Sequence, residues 1–580
     1  MYGRQIDETI SHAMSQKQVE EFTFRNLFIP LTTAKVVAFI VIIAFLVYSP
    51  VFVNGFIADD YYLIVNNPLI QRISNFTHFF TNSFGFIGGS PTGIYYRPIM
   101  SLHFAILYHL FGATPFFYHF SQLGFHVVNS LLLHSFFRRF FTRPIAFVTV
   151  LIFVTHPLNV ETVAYISASQ DIFFVTFGLL ALNVFFLKLK LRFIVVPALI
   201  LICLLSKETG ILFIMALLGL SFIKEKKALK NYLFGFMIVG VIYVVLRFLI
   251  AKIGFAHTPP TAIGELSLIA RVENMPQIFF YYVSNFVWPQ NLVMPQGWVI
   301  GEKTVANFLL PLTLDSLLVS FFLYMIIPLR KSKLLGMYVL FLGIFILGML
   351  FHMQLFPLDM TVSDRWFYFP FIGILGMLGI FISSFNVFWR KMSIIIIVLI
   401  SLALSIFTFQ RVSLWRDGIT LWSHDIKILK NNPEIENAYG FALIENKQYR
   451  QGQVHLEKAI LLYPNASSWT NLGVALSMQG QTEKAIDAFK KGVEYGNYYL
   501  AYENLAIQLG KTKNSEALSF TNKALEKYPF SSKLWLVKSI LESEAGNNKE
   551  AFRAIEKSVR YGRNQQNIEI YNLLKRTFNH

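Results

Sequence analysis

Charge is scarce in this chain. Asp, Glu, Lys and Arg make up 14% of its 580 residues, while 55% are hydrophobic and 16% aromatic. Soluble domains carry roughly a quarter charged residues. A single water-surrounded globule is therefore excluded, and much of the surface meets lipid. Cysteine is almost absent: Cys203 is the only one. One thiol rules out an intramolecular disulfide and a cysteine-based metal cluster. Within "VVPALILICLLS" it reads as inert packing. No phosphate-binding loop and no dinucleotide fingerprint occurs, so nothing predicts a nucleotide site. No cleavable signal peptide is visible either, because the first 33 residues are mixed and polar and the first apolar run is followed by others.

What the chain has is long apolar runs and a net charge of +17. Apolar stretches of bridging length fall near residues 34–53, 115–137, 144–160, 171–187, 192–206, 209–223, 231–252, 304–329, 334–351, 366–385 and 392–410. They predict about eleven transmembrane helices. The run at 97–112 is shorter and dotted with His103 and His109, so it is expected to lie along the membrane surface. The basic residues sit in alternate connections: Arg138, Arg139 and Arg143; Lys188, Lys190 and Arg192; Lys224 to Lys230; Arg330 to Lys333; Arg390 and Lys391. That alternation is the pattern of cytoplasmic loops. It assigns the positive excess to membrane topology rather than to nucleic acid, and it predicts a cytoplasmic N-terminal segment over 1–33.

The remaining connections, 54–114, 161–170, 206–208, 253–303 and 352–365, are then exterior. They hold Asp59, Asp60, Glu161, Lys207, Glu208, Asp364 and Arg365. Charge at the rim of the hydrocarbon is costly unless paired or used, so this end is expected to be the working end. An odd number of spans also places everything after the membrane domain (34–410) outside. A linker is expected over 411–434 and a separate domain over 435–580.

That last region repeats itself. Gly452, Ala485, Ala517 and Ala551 recur every 32 to 34 residues, as do Ala459, Gly492, Ala524 and Ser558 seven positions later. Leu456, Phe489, Thr521 and Ile555 lie between them, and Pro464 and Pro529 end two units. Small residues let paired helices approach, and stacked pairs share one core. The period and the placing are those of tetratricopeptide repeats, and about four fit. The predicted fold class is all-α: a polytopic membrane helix bundle followed by an α-solenoid. The solenoid is expected to hold a polypeptide or a partner protein.

Asp59 and Asp60, in "NGFIADDYYLIVNNP", are the leading chemical candidates. A carboxylate beside an apolar surface has its charged form disfavoured, which moves its pKa toward the range of a working base. Adjacent acids can also cap a helix or bind a divalent cation.

In order along the chain come "ADDYYLIVNNPLI", "YYRPIMSLHFAILYHLFGATPFFYHFSQLGFHVVNSLLLH", "THPLNVETVAYISASQDIFF", "LLSKETGILF", "SDRWFYFPFIG" and "LWRDGITLW", then the repeats. This series resembles the transmembrane and TPR repeat-containing O-mannosyltransferase family and its bacterial relatives, within the GT-C glycosyltransferases. The resemblance covers nearly the whole chain. It implies a transferase that moves a hexose from a polyprenyl- or dolichyl-phosphate donor to a hydroxyl outside the cytoplasm, with membrane lipid as a second partner. Asp59 and Asp60 match the family's acidic pair. Arg97 matches the arginine after the first loop. Glu161, Asp171, Lys207, Glu208, Asp364 and Arg365 match polar motifs at exterior span ends, with Arg365, Lys207 and Arg97 as donor-phosphate ligands. His156, before Pro157 at a span end, is a supporting candidate. Some members bind a divalent cation, Mg or Mn, at the acidic pair. Two departures stand out: "SASQD" lacks the arginine of the family's Gly-Arg-Ala-Asp, and "LRFLIAKIGF" replaces an expected "LRW" stretch. Short loops point to a bacterial inner membrane with a periplasmic solenoid, and the endoplasmic reticulum is the alternative compartment. A lipid or envelope-glycan acceptor, and a non-enzymatic membrane-anchored scaffold, are the competing readings.

Overall fold

A computed structural model describes residues 30–82, 95–254, 261–562 and 565–578. Residues 1–29 of the expected cytoplasmic segment, and parts of both long connections, lie outside these. Among the described residues regular structure is helical throughout, apart from isolated bridges such as Gln296 with Val362.

All eleven apolar stretches are helical, but they differ in length. Crossing a hydrocarbon layer takes about 20 residues. Ile166–Phe185, Lys226–Ile250, Val305–Leu329 and Val387–Leu414 are long and apolar enough. The pair Arg143–Thr155 and Pro157–Ala164, bent by 56°, adds a fifth if read as one broken span. Among the described residues, the other apolar stretches form helices that are shorter or less apolar than these four or five. The reason is physical. Arg192–Ser206 stops where Lys207 turns extended, and Leu335–Leu350 stops before Phe351. Both ends lie at a polar cavity, where non-helical backbone is tolerated at membrane depth. Pro115–Phe137 is long enough but buries His119, Gln122, His126, Asn129 and His134, which lowers its mean hydropathy.

Pro98–Phe111, expected at the membrane surface, buries Met100, Phe104 and Ala105 and exposes Leu110 and Phe111. Helices elsewhere approach closely through small residues. At Gly373 a Cβ would lie 2.5 Å from the backbone nitrogen of Phe345. Only glycine lets Pro370–Ser384 lie that close to Leu335–Leu350.

The repeat region forms four antiparallel pairs: Pro433–Glu445 with Tyr449–Leu462, Ala466–Met478 with Thr482–Glu494, Tyr499–Lys511 with Ala517–Lys527, and Ser532–Glu544 with Asn548–Tyr561. Gln565–Phe578 follows as a terminal helix. Every small and large repeat residue named above is buried. Thr521, a departure from the apolar pattern, satisfies its hydroxyl on the Ala517 carbonyl at 2.6 Å.

Where a linker was expected over 411–434, the chain forms the helix Gly418–Ile428. Trp415, Leu421 and Trp422 pack into the same core as the membrane helices. Asp425 accepts from both guanidinium nitrogens of Arg411, at 2.7 and 3.2 Å, and from the Met294 amide at 2.8 Å. The Gly55 amide donates to the Arg416 carbonyl at 2.9 Å. This stitches the base of the solenoid to the segment leading into Asp59.

Candidate functional site

The segment that carries the acidic pair is held in an unusual backbone state. Ala58, just before Asp59, has φ of 48°. A Cβ-bearing residue in the left-handed region costs about 1–2 kcal/mol. Such strain persists where the surroundings impose it, commonly at functional sites. The chain then runs through a π-helical turn, Tyr61–Val65.

The strain sends the two acids to different places. Asp60 is fully buried. One of its oxygens accepts from the Ser167 amide at 2.8 Å and the Ser167 hydroxyl at 2.5 Å; the other accepts from the Ile57 amide at 3.1 Å. Burial pushes its carboxyl up to about 7, although the Ser167 and Ile57 bonds pull the other way. Asp59 instead faces a cavity of about 480 Å³. The residue is solvent-accessible where it lines that cavity. Burial raises its pKa; a hydrogen bond to Tyr165 and the charge of Arg365 lower it, and Asp359 adds to the rise.

Three cations line the same cavity: Arg97, Lys207 and Arg365. Each is held by an acid. Arg365 donates to Glu161 at 2.7 Å and lies 3.9 Å from Asp171. Lys207 donates to the other oxygen of Asp171 at 2.5 Å. Arg97 is 3.9 Å from Glu208, which also takes Arg247 at 3.1 Å. Glu161 further accepts from the Ser363 hydroxyl at 2.7 Å. These acids hold the three cations in ion pairs of their own, none of them with Asp59. Burial lowers the Lys207 pKa, and Asp171 counters it.

The walls differ in character. Phe351, Phe356 and Leu358 form an apolar side, and Phe356 is 83% exposed. Opposite, Tyr498 and Tyr499 come from the solenoid. The Tyr498 hydroxyl is hydrogen-bonded to Tyr62 and Ser467.

Of the ten residues singled out from sequence, Asp59, Arg97, Lys207, Glu208 and Arg365 line the cavity. Asp60, Glu161 and Asp171 stand directly behind it. Asp364 points away, accepting from the Tyr281 hydroxyl at 2.5 Å. Its pKa is driven well up by burial and by Glu161. His156 lies elsewhere, with one ring nitrogen 2.9 Å from the Phe286 carbonyl and the other accepting from the Leu158 amide. Tyr62, Tyr95, Tyr165, Ser167 and Gln170 also line the cavity and fall within the quoted motifs without having been singled out, while His352 and Asp359 line it outside them. Asp359 shares a short loop with Asp364, which was the one available hint. Tyr498 and Tyr499 sit at a junction between repeats, more than 400 residues from Asp59.

Fold and site together define a polytopic membrane protein with a helical repeat domain docked over a charged cavity. No family model matches the chain. It is similar to a protein O-mannosyl-transferase of Caenorhabditis elegans, 24% identical over 71% of this chain and 60% of that protein. It is similar also to human protein O-mannosyl-transferase TMTC3, 21% identical over 90% of this chain and 63% of that protein. Human protein O-mannosyl-transferase TMTC1 is 34% identical over 20% of this chain and 14% of that protein. The family resemblance carried by the motifs is thus met by relatives of that name. The chain spans about six-tenths of the length of the first two.

Proposed function

We propose that this chain is an integral membrane glycosyltransferase. In this reading it moves a hexose, mannose by analogy with its relatives' name, from polyprenyl or dolichyl phosphate to a hydroxyl of a polypeptide. One observation carries the reading: a carboxylate, Asp59, shares one cavity with three acid-paired cations and an apolar wall.

The chemistry follows from that combination. Asp59 takes the proton of the acceptor hydroxyl. The hydroxyl oxygen bonds to the anomeric carbon as the bond from that carbon to the phosphate oxygen breaks, inverting the centre. The electron pair leaves with the lipid phosphate. Arg365 offers a planar fork for two phosphate oxygens, and Lys207 and Arg97 add charge. Preset cations stabilise developing charge without reorganising during the reaction. The exposed Phe351 and Phe356 suit a polyprenyl tail.

The residues fit a divalent cation poorly, and no step is routed through one. Asp60 has both oxygens engaged by Ser167 and Ile57. Among the described residues no group of three or more His, Cys, Asp or Glu is placed to hold a metal.

The sidedness we propose puts the basic connections in the cytoplasm and the cavity and solenoid opposite. That is the periplasmic face of a bacterial inner membrane, or the lumenal face of the endoplasmic reticulum in a eukaryote. The solenoid tyrosines in the cavity wall support a polypeptide acceptor over a lipid or glycan one, and a role for the repeats in acceptor binding. The test is transfer of radiolabel from polyprenyl-phosphate mannose to a Ser/Thr peptide by purified protein in lipid nanodiscs. Turnover that is lost in Asp59→Asn supports the reading; full turnover in that variant, or none in the wild type, overturns it.

A further inference from the structure

The helices that end at the charged cavity have a second charged end. Ser169–Phe185 begins beside Asp171 and Arg192–Ser206 stops before Lys207, and these two residues pair at the cavity. Ile211–Lys224 begins two residues after Thr209 in the cavity wall. The helices after it return to Arg247, which holds Glu208. The connections 186–191 and 225–228 therefore lie a helix length from the cavity, roughly 20 Å away.

Residues of both connections line a second cavity, of about 490 Å³. Arg192 is already committed there. It donates to both oxygens of Glu225, at 2.6 and 2.7 Å, and to the Phe185 carbonyl at 2.9 Å, which satisfies the end of that helix. Lys188, Lys190 and Lys224 line the same cavity and make no ion pair among the described residues. Lys224 rests 5.5 Å from the Phe140 ring centre, a contact that leaves its charge in place. Glu225 is the one acid in the basic connections 138–143, 186–192 and 224–230. Like charges around one cavity repel, and an anion inside it relieves the repulsion.

The neighbouring side chains identify the carrier of that anion. Lys188 and Lys190 alternate with Leu187, Leu189 and Leu191. Leu189 and Leu191 are 58% and 59% exposed, and Ile194 is exposed as well. A soluble phosphate would leave these leucines in water, at a cost in apolar hydration. A phospholipid gives them acyl chains while its phosphate meets the lysines. Phe185, Phe186 and Phe193 add an apolar wall to the same cavity.

We infer that this second cavity holds the headgroup of an anionic phospholipid, its phosphate among Lys188, Lys190 and Lys224 and its acyl chains along Leu189, Leu191 and Ile194. Basic pockets between membrane helices suit such headgroups. The site is independent of the transferase reading. It lies in the leaflet away from the charged cavity, the cytoplasmic one in the proposed topology. One lipid there links the connection after Phe185 to the connection after Lys224, and so joins two helix hairpins whose other ends carry Lys207 and Glu208.

The experiment reconstitutes the full chain with equal amounts of phosphatidylglycerol and phosphatidylcholine, extracts it in mild detergent, and reads bound lipid by native mass spectrometry. The wild type is expected to retain phosphatidylglycerol and to lose phosphatidylcholine. A triple variant, Lys188→Gln with Lys190→Gln and Lys224→Gln, is expected to need about a hundredfold more phosphatidylglycerol for the same occupancy, since each lysine at an anionic surface contributes about fivefold. A control, Lys230→Gln with Lys331→Gln and Lys333→Gln, removes the same charge outside the cavity and is expected to retain the lipid. Inorganic phosphate is expected not to displace it. A second measurement needs no variant: the melting temperature of the wild type should rise with added phosphatidylglycerol and not with phosphatidylcholine. Equal retention of the two lipids, undiminished retention in the cavity variant, or equal loss in the control overturns the inference. Displacement by inorganic phosphate overturns it too, since the ligand would then be a soluble anion. None of these outcomes bears on transfer at Asp59.

Discussion

Asp59 and Asp60 are consecutive, yet one faces an open cavity and the other is enclosed by hydrogen bonds from Ser167 and Ile57. The left-handed Ala58 that precedes them makes this division possible. It also divides their expected phenotypes. Asp59→Asn is predicted to lower kcat by about 10²–10⁴, the usual contribution of a general base, with an unchanged melting temperature. Asp60→Ala leaves two buried amides without an acceptor and is predicted to cost about 1–3 kcal/mol for each unsatisfied group. Kinetics beside thermal unfolding on both variants checks this. Equal loss of kcat with equal stability in the two would refute the division of labour.

The pH behaviour follows from the same pair together with Asp425. Asp60 has its folded pKa raised from 3.8 to about 7. A raised acid contributes stability that is present below the unfolded value and lost as pH climbs through the folded one. Asp425 runs the other way. Burial pushes it up, but Arg411, His424 and the Met294 amide outweigh burial and hold it below the usual value. Its contribution is present above the unfolded value and lost on acidification. Thermal unfolding across pH 4 to about 7 is predicted to show Asp60→Asn flattening the decline toward neutral pH. The acid limb of kcat/KM should lie above the ordinary Asp value of about 3.9, because burial raises Asp59.

Arg365 tests the phosphate side. Removing it outright would strand buried Glu161, at a cost of about 3–5 kcal/mol. Arg365→Lys keeps the charge and loses the fork. The expected result is a donor KM raised about tenfold or more, a loss of one charged hydrogen bond, with acceptor KM little changed. Steady-state kinetics with each substrate varied in turn reads it. A rise confined to acceptor KM would place Arg365 on the wrong side of the cavity.

Much of this site was legible before the structure, and the reason is topological. Charged residues in connections of a helix bundle can lie only at its ends. Alternation of the basic turns therefore sorted Asp59, Lys207, Glu208 and Arg365 to one end. The repeat period placed the helix pairs, because Gly452 and Ala485 must be small where helices touch. The bounds of a run such as 192–206 were legible, since the helix is Arg192–Ser206, but not that Lys207 beyond it turns into a cavity. The linker expected over 411–434 carries the helix Gly418–Ile428, and only the burial of Trp415, Leu421 and Trp422 against membrane helices reveals a joint there. Tyr498 was invisible for a related reason. Its partner Tyr62 lies in another domain, and no local pattern encodes a contact over that distance.

The joint carries its own prediction. Arg411, Asp425 and the Met294 amide link the last membrane helix, the connecting helix and the long loop. Asp425→Ala leaves a buried guanidinium and amide without their acceptor, and is expected to cost about 3–5 kcal/mol. The solenoid should then become separable, seen as faster proteolytic cleavage between residues 411 and 434. Because Tyr498 and Tyr499 reach the cavity only through that docking, transfer should fall even though no cavity residue changes. Unaltered cleavage together with unaltered transfer would show that the ion pair does not hold the two domains together.

The last prediction concerns metal. A cation at the acidic pair would need Asp60 as a ligand, and its oxygens already accept three donors from Ser167 and Ile57. Freeing them would break the bonds that fix Asp59. Arg97, Lys207 and Arg365 already supply positive charge where the phosphate leaves, which is the role a divalent ion would otherwise take. Exhaustive chelation is therefore expected to leave the initial rate of mannose transfer unchanged, and added Mg or Mn to leave it unchanged as well. A rate abolished by chelator and restored by either ion would mean that the 57–60 segment rearranges around a metal during turnover, and that Asp60 belongs among its ligands.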